Sequence, residues 1–321
     1  MILTFVPGGG AVFFQIGDVH WFDTVAPYYS TANIATAVTA LLAATLDWSF
    51  MILVGTPANA AGGAAVFAVM ETHMATFATN YHWTRCIMDG GTDTAGAVVL
   101  AMNAVDDQRV NVSFGTADTV SGKPFGGFGF PAQEICNNLG AFHAGNLIST
   151  DAARVRGGSV PGVLRISHDE YVTEVCDIGR LSTMRTWPGR TGFYFTNSRL
   201  KSAAGSDFRW FQHGLVMDQA CRTTFATQQN FIAVGVRTNS DGTIDERDAL
   251  RFETQVKKAL RAVLTEPDNA EGTRGHVSAF SYVIDRTNNI ATTEVLQSEV
   301  AIRPLSYPKT ITTQIGFDLA V

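Results

Sequence analysis

Residues 275–321 read GHVSAFSYVIDRTNNIATTEVLQSEVAIRPLSYPKTITTQIGFDLAV, a run that predicts three β-strands. Residues 277–285 are apolar and aromatic. Arg286-Thr287-Asn288-Asn289 is a turn, because asparagine tolerates the left-handed backbone that tight turns require. Residues 290–303 are the return strand, and Pro304-Leu305-Ser306-Tyr307-Pro308 breaks it. Between 310 and 319, Ile311, Thr313, Ile315, Phe317 and Leu319 alternate with Thr310, Thr312, Gln314, Gly316 and Asp318. A period of two marks a strand with one apolar face. Such a strand must pair, since an open half-apolar edge invites aggregation. It either completes the sheet of its own chain or is exchanged with another subunit.

Working back from this stretch, Asp245 caps a strong helix in which Ala249, Phe252, Val256, Ala259, Leu260 and Val263 recur every three or four residues. Glu246 lies at its N-terminus and Lys257, Lys258 and Arg261 near its C-terminus, which suits the helix dipole. Residues 228–237 contain an apolar strand, Phe231 to Val236, and residues 207–227 read as a helix capped by Asp207. Helices beside an antiparallel or mixed sheet make residues 181–321 an α+β domain.

The preceding half alternates differently. Ser30 and Thr31 offer a hydroxyl cap for a helix reaching residue 44, with Ile34, Val38, Leu41 and Leu42 as its apolar stripe. Residues 50–55 form a continuous apolar run, as in a strand buried on both faces. A long Ala-rich helix spans 58–80, a second buried strand 84–89, a helix 92–105 and a third strand 109–114. Strand–helix alternation predicts a parallel sheet covered by helices, an α/β domain over residues 26–180. Residues 115–180 are looser. They hold a Gly- and Phe-rich loop at 121–131, a helical stretch at 131–144, a turn cluster at 157–162 and a strand at 163–167, with a further strand at 181–185. Residues 1–25 supply two short strands, 1–6 and 12–16, around Pro7-Gly8-Gly9-Gly10.

Composition limits what the chain does. Of 321 residues, 46% are hydrophobic, enough for a sizeable core, and the net charge of −6 lacks the basic footprint of a nucleic-acid coat. The longest apolar run, residues 32–55, is broken by Asp47, so no membrane insertion is expected. Cys86, Cys136, Cys176 and Cys221 are far apart, as in reduced thiols. Residues 180–222 are locally basic and 241–271 locally acidic, either as ordinary charged surface or as complementary patches between subunits.

Catalytic signatures fail on spacing. Gly115 to Lys123 lacks phosphate-loop spacing, and Pro124 stands where a Ser or Thr would hold Mg²⁺. Gly126-Gly127-Phe128-Gly129 is not a dinucleotide fingerprint. The seven histidines show no metal spacing, and His168-Asp169-Glu170 sits in a polar run that reads as a solvated loop. No nucleophile elbow occurs. The expectation is a protein that is not an enzyme and needs no cofactor or metal.

An ordered series carries a more specific signal. Trp187-Pro188-Gly189-Arg190-Thr191-Gly192-Phe193-Tyr194-Phe195-Thr196-Asn197 leads to Gly205-Ser206-Asp207-Phe208 and then Met217-Asp218-Gln219-Ala220-Cys221-Arg222. Asn239 to Ala249, the turn at 285–290, and the run from Arg303 through Pro308 to Ile311, before Ile315-Gly316-Phe317, complete it. The series resembles the C-terminal half of contractile tail sheath proteins of bacteriophages and related injection systems, over residues 181–321 and more thinly over 15–115.

The resemblance implies a structural, self-assembling subunit, a helical homo-oligomer of stacked hexameric rings around an inner tail tube protein, bounded by baseplate and tail terminator proteins. It implies no nucleic-acid partner, a place in the virion tail and assembly in a bacterial host cytoplasm. A strand at about 308–321 would link subunits through Thr310, Ile311, Thr313, Ile315, Phe317 and Leu319, with Pro304 and Pro308 as the hinge. The family carries more sequence upstream, so the chain resembles a shortened member or one whose true start lies earlier. A non-contracting tail or virion protein shares the assembly expectation, and a hydrolase on the α/β domain is the alternative of a different class.

Overall fold

The computed structural model of the chain describes residues 30–44, 48–53, 57–91, 93–114, 117–120, 123–124, 162–163, 174–185, 194–195, 198–203, 205–265 and 276–305. Several expectations lie outside these residues: the two N-terminal strands, the helix at 131–144, His168-Asp169-Glu170 and the strand at 310–319.

The first layer is a parallel sheet of β1 (Phe50–Ile52), β2 (Arg85–Asp89) and β3 (Val110–Ser113) in that order, with Met51 opposite Cys86 and Ile87 opposite Asn111. Helices α1 (Thr31–Ala43), α2 (Ala60–Thr79) and α3 (Ala95–Ala101) connect and cover it. Ser30 accepts from the Asn33 N–H at 3.2 Å and Asn59 from the Gly62 N–H at 2.7 Å, so both long helices begin on a side-chain cap. Val66, Phe67, Met70, Met74 and Phe77 form the buried stripe of α2, and β2 is buried at every position. At Gly63 an added Cβ would lie 2.5 Å from the Gly90 carbonyl oxygen, which is how closely α2 approaches the end of β2.

Two boundaries differ from expectation. Of the predicted 50–55, residues 54–55 lie outside the described residues; β1 covers Phe50–Ile52 and is only half-buried, because it is the edge of the sheet. α3 starts on the Thr94 cap and ends at Ala101 rather than 105; beyond it Asp107 accepts from the N–H groups of Arg109 and Val110 and opens β3.

Short pairs follow: β4 (Ala117–Val120) between β5 (Lys123–Pro124) and β6 (Gly162–Val163), then the one-turn helix α4 (Glu174–Ile178), then β7 (Met184–Arg185) against β8 (Tyr194–Phe195). After α4 the chain returns to the outer edge of β3. Ser182 bridges Ser113 and Leu200 bridges Asn111. Arg180, left-handed at φ 57°, donates to the carbonyls of Val105 and Lys201. Lys201 is fully buried and donates from Nζ to the Gly179 carbonyl at 2.8 Å; burial, then the nearby Arg180 charge, pushes its pKa down to about 8.

The second layer holds α5 (Phe211–Gln228), α6 (Glu246–Leu264) and an antiparallel ribbon of β9 (Val277–Ile284) and β10 (Ser298–Pro304), joined by the single turn α7 (Ile290–Thr293). Among the described residues the fold is thus mixed α/β, with a parallel sheet and a separate small antiparallel one. No described helix is long and apolar enough to cross a membrane.

Three expectations fail here. Asp207 does not cap α5. The helix starts at Phe211, after a turn in which Ser206 accepts from the N–H groups of Phe208 and Arg209. Residues 231–236 are not a strand. α5 runs on into a 3-10 turn, Gln229–Phe231, and Phe231 stacks on Phe252 with ring centroids 4.2 Å apart; packing on α6 outweighs the strand-like run. Residues 290–303 are not one strand either, because the Asn289 side chain accepts from the Thr292 N–H at 3.0 Å and nucleates α7.

The layers meet at buried charge. Arg85 on β2 and Asp218 on α5 are each 1% exposed and lie 2.7 Å apart; Arg109 reaches the other carboxylate oxygen at 3.1 Å. Arg222 donates to the Trp48 carbonyl and the Ser49 hydroxyl beside β1. Gly214 lies flat on the Arg85 guanidinium, where a Cβ would fall 1.9 Å from Cζ. Gly214→Ala is therefore expected to cost about 1–3 kcal/mol through overpacking. Gly205→Ala, with nothing within 4 Å of the new Cβ, should stay within about 0.5 kcal/mol of the parent. Urea unfolding of the two variants measures both.

Candidate assembly interface

Helix α6 is the platform of the second layer. Asp245 accepts from the Arg247 N–H at 2.9 Å, acidic Glu246 and Asp248 occupy the first turn and Arg261 the last, as the dipole favours. Phe252, Val256, Leu260 and Leu264 form its buried face. Against that face the ribbon buries Val277, Tyr282 and Ile284, with Phe280, Val300 and Ile302 partly covered. Gln228 of α5 donates to the Tyr282 hydroxyl at 3.0 Å and the Ser298 hydroxyl at 2.9 Å.

Glu253 fastens the helix to the ribbon. Its carboxylate accepts from the Ile284 N–H at 3.0 Å, from Lys257 at 3.0 Å and from Arg286, whose guanidinium also pairs with Glu246 at 2.9 Å. Burial alone would raise the Glu253 pKa, but these hydrogen bonds outweigh it and hold the group down to about 2. Asp248 is likewise held at about 2, chiefly by hydrogen bonds from Arg237.

Among the described residues no strand pairs with the edges of the ribbon, and its outer face is exposed. Ala279, Ser281 and Val283 of β9, with Glu299, Ala301 and Arg303 of β10, are exposed. Among the described residues β9 pairs with β10 alone. A two-stranded sheet is marginal by itself, and its open edges present backbone donors and acceptors to another strand. β10 ends at Pro304, after a register shift between Arg303 and Pro304. A proline, without an N–H, is tolerated at such a place.

Of the residues expected to link subunits, Thr310, Ile311, Thr313, Ile315, Phe317 and Leu319 lie outside the described residues, as does Pro308. Pro304 is the last residue of β10. Beside it is a cavity of about 580 Å³ between the 205–209 turn, the start of α5 and the end of β10, where His213 Nε2 donates to the Leu305 carbonyl at 2.9 Å. No local pattern in the sequence joins Glu253 to Arg286 or closes this cavity, since each brings together residues about 30 to 100 positions apart.

Several charges of the expected basic and acidic segments find partners among the described residues. Arg180, Lys201 and Arg222 bind carbonyls, while Asp248, Glu253 and Glu246 meet Arg237, Arg251, Lys257 and Arg286. At the carboxyl end of the parallel sheet, where α/β proteins bind ligands, Asp93 already caps the Ala60 N–H of α2 at 2.7 Å. Among the described residues no group of three or more His, Cys, Asp or Glu could hold a metal.

Because Glu253 has its folded pKa below its ordinary value of 4.5, the unfolded chain binds the extra proton between pH 4.5 and about 2. The stability Glu253 adds is complete above about pH 4.5 and lost as pH falls toward 2. Glu253→Gln should therefore melt below the parent at neutral pH, and the gap should close on acidification. Thermal melts from pH 7 to 2.5 check this.

No protein-family model and no curated protein matches the sequence. Solved structures do match. The chain is similar to the helical sheath of the anti-feeding prophage in its contracted state, with TM-score 0.57, 13% identity, and 88% of this chain against 74% of that one. It is similar to the contracted sheath complex of PVC, an extracellular contractile injection system, with TM-score 0.55, 12% identity, and 89% against 75%. The sheath tail protein of Listeria innocua aligns with TM-score 0.52 and 10% identity over 87% of this chain and 61% of that one. The chain thus spans 61% to 75% of the length of these proteins. At such identities the likeness is one of fold, and the fold is that of contractile sheath proteins.

Proposed function

We propose that the chain is a structural subunit of a contractile tail sheath. The observation that carries this is the sheath fold over nearly nine-tenths of the chain, shared with proteins solved inside contracted sheaths. Copies stack as helical rings, hexameric in the resembled family, around an inner tail tube, between a baseplate and a tail terminator. The particle forms in a bacterial host cytoplasm, and the protein acts in the virion tail. It is not an enzyme and takes no cofactor: work comes from better burial between subunits in the contracted array.

The α/β unit of residues 26–180 and the α+β unit of 181–321 divide the labour, the latter linking copies. The strand at 308–321, with Ile311, Ile315, Phe317 and Leu319, adds to the open β9–β10 ribbon of a neighbour through main-chain hydrogen bonds. Pro304 to Pro308 is the connector that lets linked subunits rotate.

Negative-stain electron microscopy with sedimentation velocity tests this. The full chain should form hollow, striated tubes or stacked rings as concentration rises, and a chain lacking 308–321 should stay monomeric. Normal tubes from the deletion would sink the strand linkage. A full chain that neither self-associates nor coats a tail tube would sink the sheath assignment.

A further inference from the structure

The two ends of the β9–β10 ribbon are unlike and complementary. At the closed end, α7 stops on Glu294, which is left-handed at φ 56°. That position usually falls to Gly or Asn, and another side chain there is strained. Strain at an exposed acidic residue calls for a use elsewhere. Glu294 forms no ion pair with any described residue. The adjoining Val295 is 50% exposed. The tip is nevertheless rigid: Asn288 donates to the Val295 carbonyl, the Glu294 N–H to Ile290 at 2.9 Å and the Asp285 N–H to Gln297 at 2.9 Å. It presents one aliphatic side chain and one carboxylate on a preorganised loop.

The other end of the ribbon lies beside the cavity described above. The 580 Å³ cavity has an apolar floor of Phe208, Val216, Met217 and Ile302. Arg209 and Arg303 stand on its rim, both exposed, with Asp207 the one acid among them. The Arg209 guanidinium lies over the Trp210 ring at 5.6 Å, and neither arginine is ion-paired to a described residue. Two cations and one anion leave the rim positive, and Asp207 would repel an incoming carboxylate toward the arginines.

We propose that the Glu294–Val295 tip of one copy docks into this cavity on a second copy. Val295 meets the apolar floor and Glu294 the guanidinium groups of Arg209 and Arg303. The seven residues of β10 hold tip and cavity roughly 20 Å apart, so one chain cannot satisfy both. The contact is therefore heterologous, and repeated head to tail it builds rings or open helices rather than closed two-fold pairs. This docking rests on the assembly reading above and adds to strand exchange a second, side-chain contact that sets register.

The test uses the full chain carrying Glu294→Cys and Ser206→Cys, oxidised mildly at high concentration and run on a non-reducing gel, beside the parent and each single variant. A head-to-tail contact gives a ladder of dimers, trimers and higher species in the double variant alone. No ladder, or dimers from Glu294→Cys by itself, overturns the docking. Sedimentation supplies the second measurement. Glu294→Arg should weaken association at least tenfold, and Arg303→Glu in the same chain should restore it; association unchanged by Glu294→Arg also overturns the docking. Tubes from the parent without a ladder leave the sheath assignment standing and the docking refuted. A ladder from a chain that forms no tubes or rings supports the docking and leaves the sheath assignment to the tail-tube coating test.

Discussion

Asp218 sits between the guanidinium groups of Arg85 and Arg109, residues 133 and 109 positions away in sequence. Stripping a carboxylate of water is costly, and a second arginine on the same group leaves excess positive charge. Carbonyls absorb that excess: Arg85 also donates to Gln108 and Arg109 to Thr84 at 3.1 Å. A buried pair of this kind is weak grounds for added stability, yet removing one partner strands the others. What it fixes is geometry. Helix α5 can cross the parallel sheet only where Gly214 clears Arg85, and α5 in turn carries α6 and the ribbon. The ribbon is thereby held at a set place relative to the α/β layer.

The ribbon is stable because one face is finished and the other is not needed for folding. Tyr282 and Ile284 bury completely against α6, and Glu253 ties the Ile284 N–H and Arg286 to the helix. The opposite face carries small side chains, with Glu299 and Arg303 placed among them. Charges on an exposed face and a proline at the strand end discourage indiscriminate pairing while leaving backbone groups open to a specific strand.

Electrostatics in the second layer act at short range. Glu246, Asp248 and Glu253 of α6 face arginines and a lysine of the same chain. What stays unpaired among the described residues is local, such as Glu294 at one end of the ribbon and Arg209 and Arg303 at the other. Sparse complementary charges of this sort contribute more to register and to rejecting wrong alignments than to affinity.

Periodicity and capping made most of the elements legible. The α2 stripe, the buried β2 and β3 runs, the Ser30 and Asp245 caps and the amphipathic α6 are all local patterns, and the parallel sheet followed from their alternation. The strand at 231–236 and the single strand at 290–303 were misread because short apolar runs fit more than one backbone. At 231 the decision lay with Phe252, twenty-one residues on, and at 290 with one asparagine side chain. By itself the sequence determined the order of most elements and the resemblance to sheath proteins, since both rest on residues read in line. Only the tertiary structure decided where Asp218 finds its arginines, how Glu253 clamps the ribbon and that a cavity lies beside Pro304. Each joins residues far apart in the chain, and their meeting depends on how whole elements pack rather than on any local run.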